Sequence, residues 1–263
     1  VRLKFQLKIR STNYILAWSL LAAAPAFPSK DSCFDCHLVQ KGPSPIFKDD
    51  VHYQHGISCS ACHGGDPEQA RANAAMSDAR GMKPRIMREH VPEFCGTCHS
   101  DPAFMSKFKP GRRTDQLALY RRSVHGTELG KGNLKAAQCV DCHGVHNTRA
   151  IDDPQSASHP ARLADTCGRC HEEEAQLFKQ SPHARVFVVT GMAGCSACHA
   201  IHGTTRASFD MLTGSDSVCL RCHEPDSAAG RSVAAMAKTI AGLTGEKQRA
   251  AARKAAHSLK LAP

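Results

Sequence analysis

The chain has 263 residues, room for one or two domains. Aromatics are only 5%, Trp occurs once and mean hydropathy is −0.36, which excludes a conventional core of packed aromatic side chains. The formal charge of +10 keeps a nucleic-acid or membrane-surface role open until the motifs are considered.

Residues 1–26 read as a secretory signal. Arg2, Lys4, Lys8 and Arg10 precede an apolar run from Tyr14 to Ala24, and Ala24-Pro25-Ala26 is an A-x-A-like cleavage site. The run is shorter than the ~20 residues that span a bilayer. A periplasmic or otherwise exported product cleaved after Ala26 is expected, and a retained N-terminal anchor is the alternative. Without those four cations the charge is +6.

From residue 27 onward the chain is punctuated by Cys-x-x-Cys-His. The motifs are Cys33/Cys36/His37, Cys59/Cys62/His63, Cys95/Cys98/His99, Cys139/Cys142/His143, Cys167/Cys170/His171, Cys195/Cys198/His199 and Cys219/Cys222/His223. Together they use all 14 cysteines. Disulfides do not require a His after every second Cys, and zinc sites do not place one directly after each pair. The spacing is the attachment signal of c-type haem, in which two thiols add to the vinyl groups and the adjacent His becomes the proximal iron ligand. Seven covalent haems are therefore expected. Two propionates per haem would take the charge to about −8, so the basic side chains are assigned to propionates or solvent rather than to a nucleic acid.

Seven flat apolar groups can replace the missing core. The expected fold is mainly α with extensive loop, short helices around a chain of haems and no substantial β-sheet. The expected organisation is a heptahaem domain over 27–224 and a haem-free helical tail over 225–263. Pro43 and Pro45 mark a loop before His52-Tyr53-Gln54-His55-Gly56. Ala70–Ala79 can form a short helix, and Thr114–Arg122 a helix capped by Thr114. Glu172–Phe178 holds helix formers that lead to His183. Beyond Pro225, Val233, Met236, Ile240 and Leu243 share one helical face. The basic, Ala-rich end then reads as a terminal helix packed on its own domain, or as a contact for a membrane or partner.

Nine histidines lie outside the motifs, at 52, 55, 90, 125, 146, 159, 183, 202 and 257. Repeats single out five of them as distal ligands. His55, His125 and His183 each precede a haem site, while His146 and His202 each follow a proximal His by three residues. One helical turn separates each of the latter from its proximal His, so neither folds back easily onto the same iron, and a neighbouring haem is the expected target. His52 and His90 would complete a set of seven. His159, Met87 and Met211 each stand eight residues before a motif and are read as lining the haems, with one axial ligand among them as the alternative. His257 is read as no ligand.

Cys139-Val-Asp-Cys-His-Gly-Val-His146 followed by Cys167-Gly-Arg-Cys-His171 resembles the multihaem c-type cytochromes with doubled CxxCH motifs, the cytochrome c3-like family. Ser123-Val-His-Gly126 and Cys59-Ser-Ala-Cys-His-Gly-Gly-Asp66 belong to the same pattern. The resemblance covers roughly residues 30–224 and implies bis-His, low-potential haems in a periplasmic electron-transfer chain. The first haem and the long 64–94 spacer depart from the family's repeat. By analogy the partners are other redox proteins, a membrane quinol-oxidising complex or a terminal reductase. An electron carrier with no catalytic residue is expected. The alternative is a nitrite, hydroxylamine or sulfur-oxyanion oxidoreductase with one open haem, although no CxxCK site is present and only Tyr53 and Tyr120 follow the signal.

Overall fold

The computed structural model describes residues 31–40, 42–83, 85–208, 210–213, 217–243 and 245–258. The signal-like segment 1–26 lies outside them. Among the described residues every regular element is a helix and no strand occurs. Most helices span two turns or fewer, and only Ala228–Ala241 and Gly245–Ser258 reach 14 residues.

The local reasons are plain in the sequence. Pro sits in the first turn of Ser44–Phe47, Val91–His99, Pro102–Ser106 and Pro182–Thr190, where its missing N–H costs nothing. Asp31, Asp50, Asp101, Ser123 and Ser227 cap helices through their side chains. Gly191 ends Pro182–Thr190 in the left-handed conformation.

Little apolar side chain is buried. Among the described residues Phe34, Phe47, Leu129, Leu163, Leu212 and Ile240 are the large ones, and the largest fully buried side chains are Asp50 and four serines. The interior is instead a cavity of about 3240 Å³. Ordinary ligand pockets measure roughly 300–1,000 Å³, so this one has room for several large groups.

Some expectations are corrected. Pro43 lies in a bend, as expected, but Pro45 stands in the first turn of the helix Ser44–Phe47 rather than in a loop. The predicted Ala70–Ala79 helix shrinks to Ala72–Ala75 and a 3-10 turn, Asp78–Arg80, because Gly81 closes the turn in the left-handed region. The helix expected over Thr114–Arg122 spans Gln116–Arg122 and its N-cap is Asp115, not Thr114; the Asp115 carboxylate is taken by the Arg113 guanidinium. In the tail, Val233 and Met236 line the cavity and Ile240 is buried, whereas Leu243 is 36% exposed past the helix end. The final helix packs on Glu172–Lys179 and on Ala228–Ala241. No helix among the described residues is long and apolar enough to cross a membrane.

Candidate haem sites

Each Cys-x-x-Cys-His occupies one tight turn. Cys59–His63 and Cys139–His143 are complete five-residue helices, and three motifs sit within or at the end of Ser32–Val39, Val91–His99 and Leu163–Gly168. The amides of His171, His199 and His223 donate to the first Cys carbonyl of their own motifs at 2.9, 3.1 and 3.0 Å. A turn closed in this way sets the two thiols, three residues apart, on one face with the His beside them. All the motif cysteines except Cys170 line the cavity, as do all the motif histidines.

The chain then leaves the helix abruptly. Gly144 and Ala200, directly after two motifs, have φ of 82° and 62°, and His146 and His202 follow with φ of 61° and 59°. The second His of each segment is therefore not one helical turn above the first. A left-handed residue redirects it, which costs a non-glycine residue roughly 1–2 kcal/mol.

Five motif histidines face a histidine from outside the motifs among the described residues. The ring pairs are His99 with His52 at 5.9 Å, His63 with His146 at 6.0 Å and His143 with His202 at 6.0 Å. His171 lies 6.2 Å from His125, and His223 lies 5.7 Å from His183 with their Nε2 atoms facing each other. Two metal–imidazole bonds of about 2 Å each, on opposite faces of a flat macrocycle, set ring centroids about 6 Å apart. The centroid spacings of the five pairs match this, although the His183 and His223 Nε2 atoms, 3.4 Å apart, would have to part by about half an ångström to take an iron between them.

His55 lines the cavity and meets the Phe108 ring edge-on at 5.6 Å. His37 and His199 line it too. His90 is exposed at the end of Arg88–His90 and is absent from the described lining residues. The lining role does not hold for His159, whose Nδ1 accepts from the Ala161 amide as a cap, nor for Met87, which is 52% exposed. Met211 does line the cavity.

Supporting groups emerge that the motifs do not announce. The His63 Nδ1 donates to the Lys83 carbonyl at 2.8 Å, which leaves Nε2 for a metal. His52 Nδ1 lies 2.8 Å from Oδ1 of buried Asp50. Burial favours the neutral Asp50 acid, but hydrogen bonds from the His52 ring and from the His52 and Thr148 amides outweigh it and hold the carboxyl below its usual value. Arg88 reaches the Asp141 carboxylate at 2.6 and 3.2 Å, together with the carbonyls of Leu134 and Ala136. It thereby ties the approach to the third motif to the interior of the fourth. Burial, reinforced by His202, brings the His143 imidazole down to about 4, so it stays neutral and able to ligate at physiological pH.

Comparison with known proteins finds family profiles over the stretches that carry the motifs. The family profile described as "Cytochrome c3" matches residues 51–172, that of the "Doubled CXXCH motif" residues 188–228, and that of "Cytochrome c554 and c-prime" residues 10–64. The chain is similar to the "High-molecular-weight cytochrome c" of Nitratidesulfovibrio vulgaris (strain Hildenborough), at 24% identity over 212 residues. The match covers 78% of this chain and 33% of that relative, so the chain spans about a third of the relative's length. No solved structure matches. Paired-histidine geometry, a cavity lined by motif cysteines and three profiles that together span all seven motifs support one assignment, that of a multihaem c-type cytochrome.

Proposed function

We propose that the protein carries electrons along a single row of seven c-type haems between redox partners outside the cytoplasm. The observation that carries this reading is the order of the attachment points. Each motif lies next to the following one in space, from the first to the seventh. Cys33 acts on Cys59, Cys62 feels Cys95 and Cys98, and Cys95 and Cys139 perturb each other directly. Cys142 feels Cys167 and Cys170, Cys167 and Cys195 perturb each other, and Cys198 feels Cys219 and Cys222. Groups anchored there would lie edge to edge, the arrangement that electron hopping needs.

Bound haem supplies an iron that cycles between ferric and ferrous states. The protein's contribution is ligation and environment. His37, His63, His99, His143, His171, His199 and His223 are the proximal ligands on this reading. His52, His125, His146, His183 and His202 close the opposite faces of five irons. His55, already in the cavity, is the next distal candidate for one of the two remaining sites, and His90 would have to turn inward to serve the other. Irons held by two imidazoles have no open position for a substrate, which favours a carrier over an oxidoreductase. The partners on this reading are a membrane quinol-oxidising complex as donor or a terminal reductase as acceptor, both by analogy with cytochromes of this kind.

The test is electron paramagnetic resonance of the oxidised protein, with haem content measured on the same sample. Seven haems per chain with low-spin ferric signals alone are expected. A high-spin signal near one per chain would overturn the pure carrier and support an open-site oxidoreductase.

A further inference from the structure

Asp50 stands at the N-terminus of Val51–Gln54, two residues before His52. It is 1% exposed, although it is a carboxylate in a chain whose interior is otherwise poor in charge. Helix capping alone does not account for it. Asp31 and Asp101 are also caps, and each uses a single oxygen, Oδ1, on two amides of its own helix. Either does its work at the surface of its helix, as a serine could.

Asp50 is used differently. Its Oδ1 accepts from the His52 amide at 2.9 Å and faces the His52 ring Nδ1 at 2.8 Å. Its Oδ2 reaches across the molecule to the Thr148 amide at 2.7 Å. The Val51 amide returns the contact to the Thr148 carbonyl at 2.7 Å, and Arg149 pairs with Asp49 alongside at 3.1 Å. Thr148 lies two residues after His146. One buried carboxylate thus joins the helix that carries His52, which faces His99, to the loop that carries His146, which faces His63.

The chemistry of the His52 contact is directional. A ring whose Nδ1–H is held by a carboxylate presents Nε2 to the metal and becomes a more basic ligand. A more basic axial imidazole favours ferric over ferrous iron. His63 has only a neutral partner, the Lys83 carbonyl, so its ring is oriented with less electron donation.

We propose that Asp50 is a positioning residue that fixes the axial ligands of two neighbouring haems, at His52/His99 and at His63/His146, and lowers the reduction potential of the first. The proposal rests on the bis-His reading above, with His52 as an iron ligand.

The experiment uses the full, haem-loaded protein in three variants. Asp50→Asn keeps size and an acceptor but removes the charge. Asp50→Ser keeps the helix cap and releases both the ring and Thr148. His52→Ala removes the ligand itself. Potentiometric titration followed by optical and paramagnetic resonance spectroscopy is the readout. Asp50→Asn should retain the full haem complement in the low-spin state and shift one midpoint potential upward. Asp50→Ser should likewise retain the full haem complement and shift that potential upward, but it should also raise the high-spin fraction, because both ligand-bearing segments are freed. His52→Ala should convert one haem to high spin. If His52→Ala leaves every haem low-spin, the ligand reading fails. If His52→Ala behaves as expected while both Asp50 variants keep the wild-type potentials, the Asp50 proposal alone is overturned. If neither Asp50 variant accumulates with full haem while His52→Ala does, Asp50 is a folding residue and the proposal is likewise overturned.

Discussion

At the scale of single residues, His146 and His202 are the most informative. Both are bulky, both have positive φ, and each turns away from the proximal His three residues before it to face a motif in another part of the chain. The strain is tolerated because the ring has a place to go. Replacing His202 by Ala should convert the haem at His143 to high spin, read as a single high-spin ferric signal. His202→Met should keep that haem low-spin and raise its potential, because thioether coordination favours ferrous iron. A second residue-scale prediction concerns Gly126, in the helix that carries His125. A Cβ there would clash with the Tyr120 carbonyl oxygen. Gly126→Ala should cost about 1–3 kcal/mol in chemical denaturation and loosen His125 from the haem at His171. The motif cysteines and histidines that gather at the cavity were legible in the sequence because the signal is local, written in five consecutive residues. The reach of His146 was legible only as a neighbouring haem. Helical spacing misplaced it, since the left-handed turn at Gly144 follows from tertiary docking. Asp50 was hidden because Asp before a short helix looks like any cap.

At the scale of elements, the helices are too short to be stable alone. They are held by caps, by each other and by long polar side chains. Arg88 does the most. Its guanidinium binds a carboxylate and two carbonyls across about fifty residues of sequence. The Asp141 it engages also accepts from the Gln138 amide in the capping box of Cys139–His143. Arg88→Met keeps the stem and removes the fork. It should lower stability by about 1–2 kcal/mol, a value reduced from that of a buried charged hydrogen bond because both partners are about one-third exposed. The measurement is a denaturant titration followed by haem absorbance. The sequence showed that the elements would be helical and brief but not their boundaries. Pro45 illustrates why: proline breaks a helix in the middle and starts one at the first turn, and only the surrounding chain decides which.

At the scale of the whole molecule, the interior belongs to the cofactors rather than to the chain. With so little buried apolar side chain, a polypeptide whose motif cysteines are all changed to Ala should show no cooperative thermal transition and reduced helicity by circular dichroism, whereas the loaded protein should unfold only when ligation fails. The pairing of histidines also carries a consequence for biogenesis. His52, His125 and His183 precede the motifs they face, so they are already present when those motifs emerge in N-to-C synthesis. His146 and His202 come after the motifs they face. The sites at His63 and His143 therefore stay open on one side until a later stretch of chain has been made and has folded back. Maturation then has a built-in order, in which the second and fourth centres are completed late and are the ones exposed to stray ligands if elongation stalls.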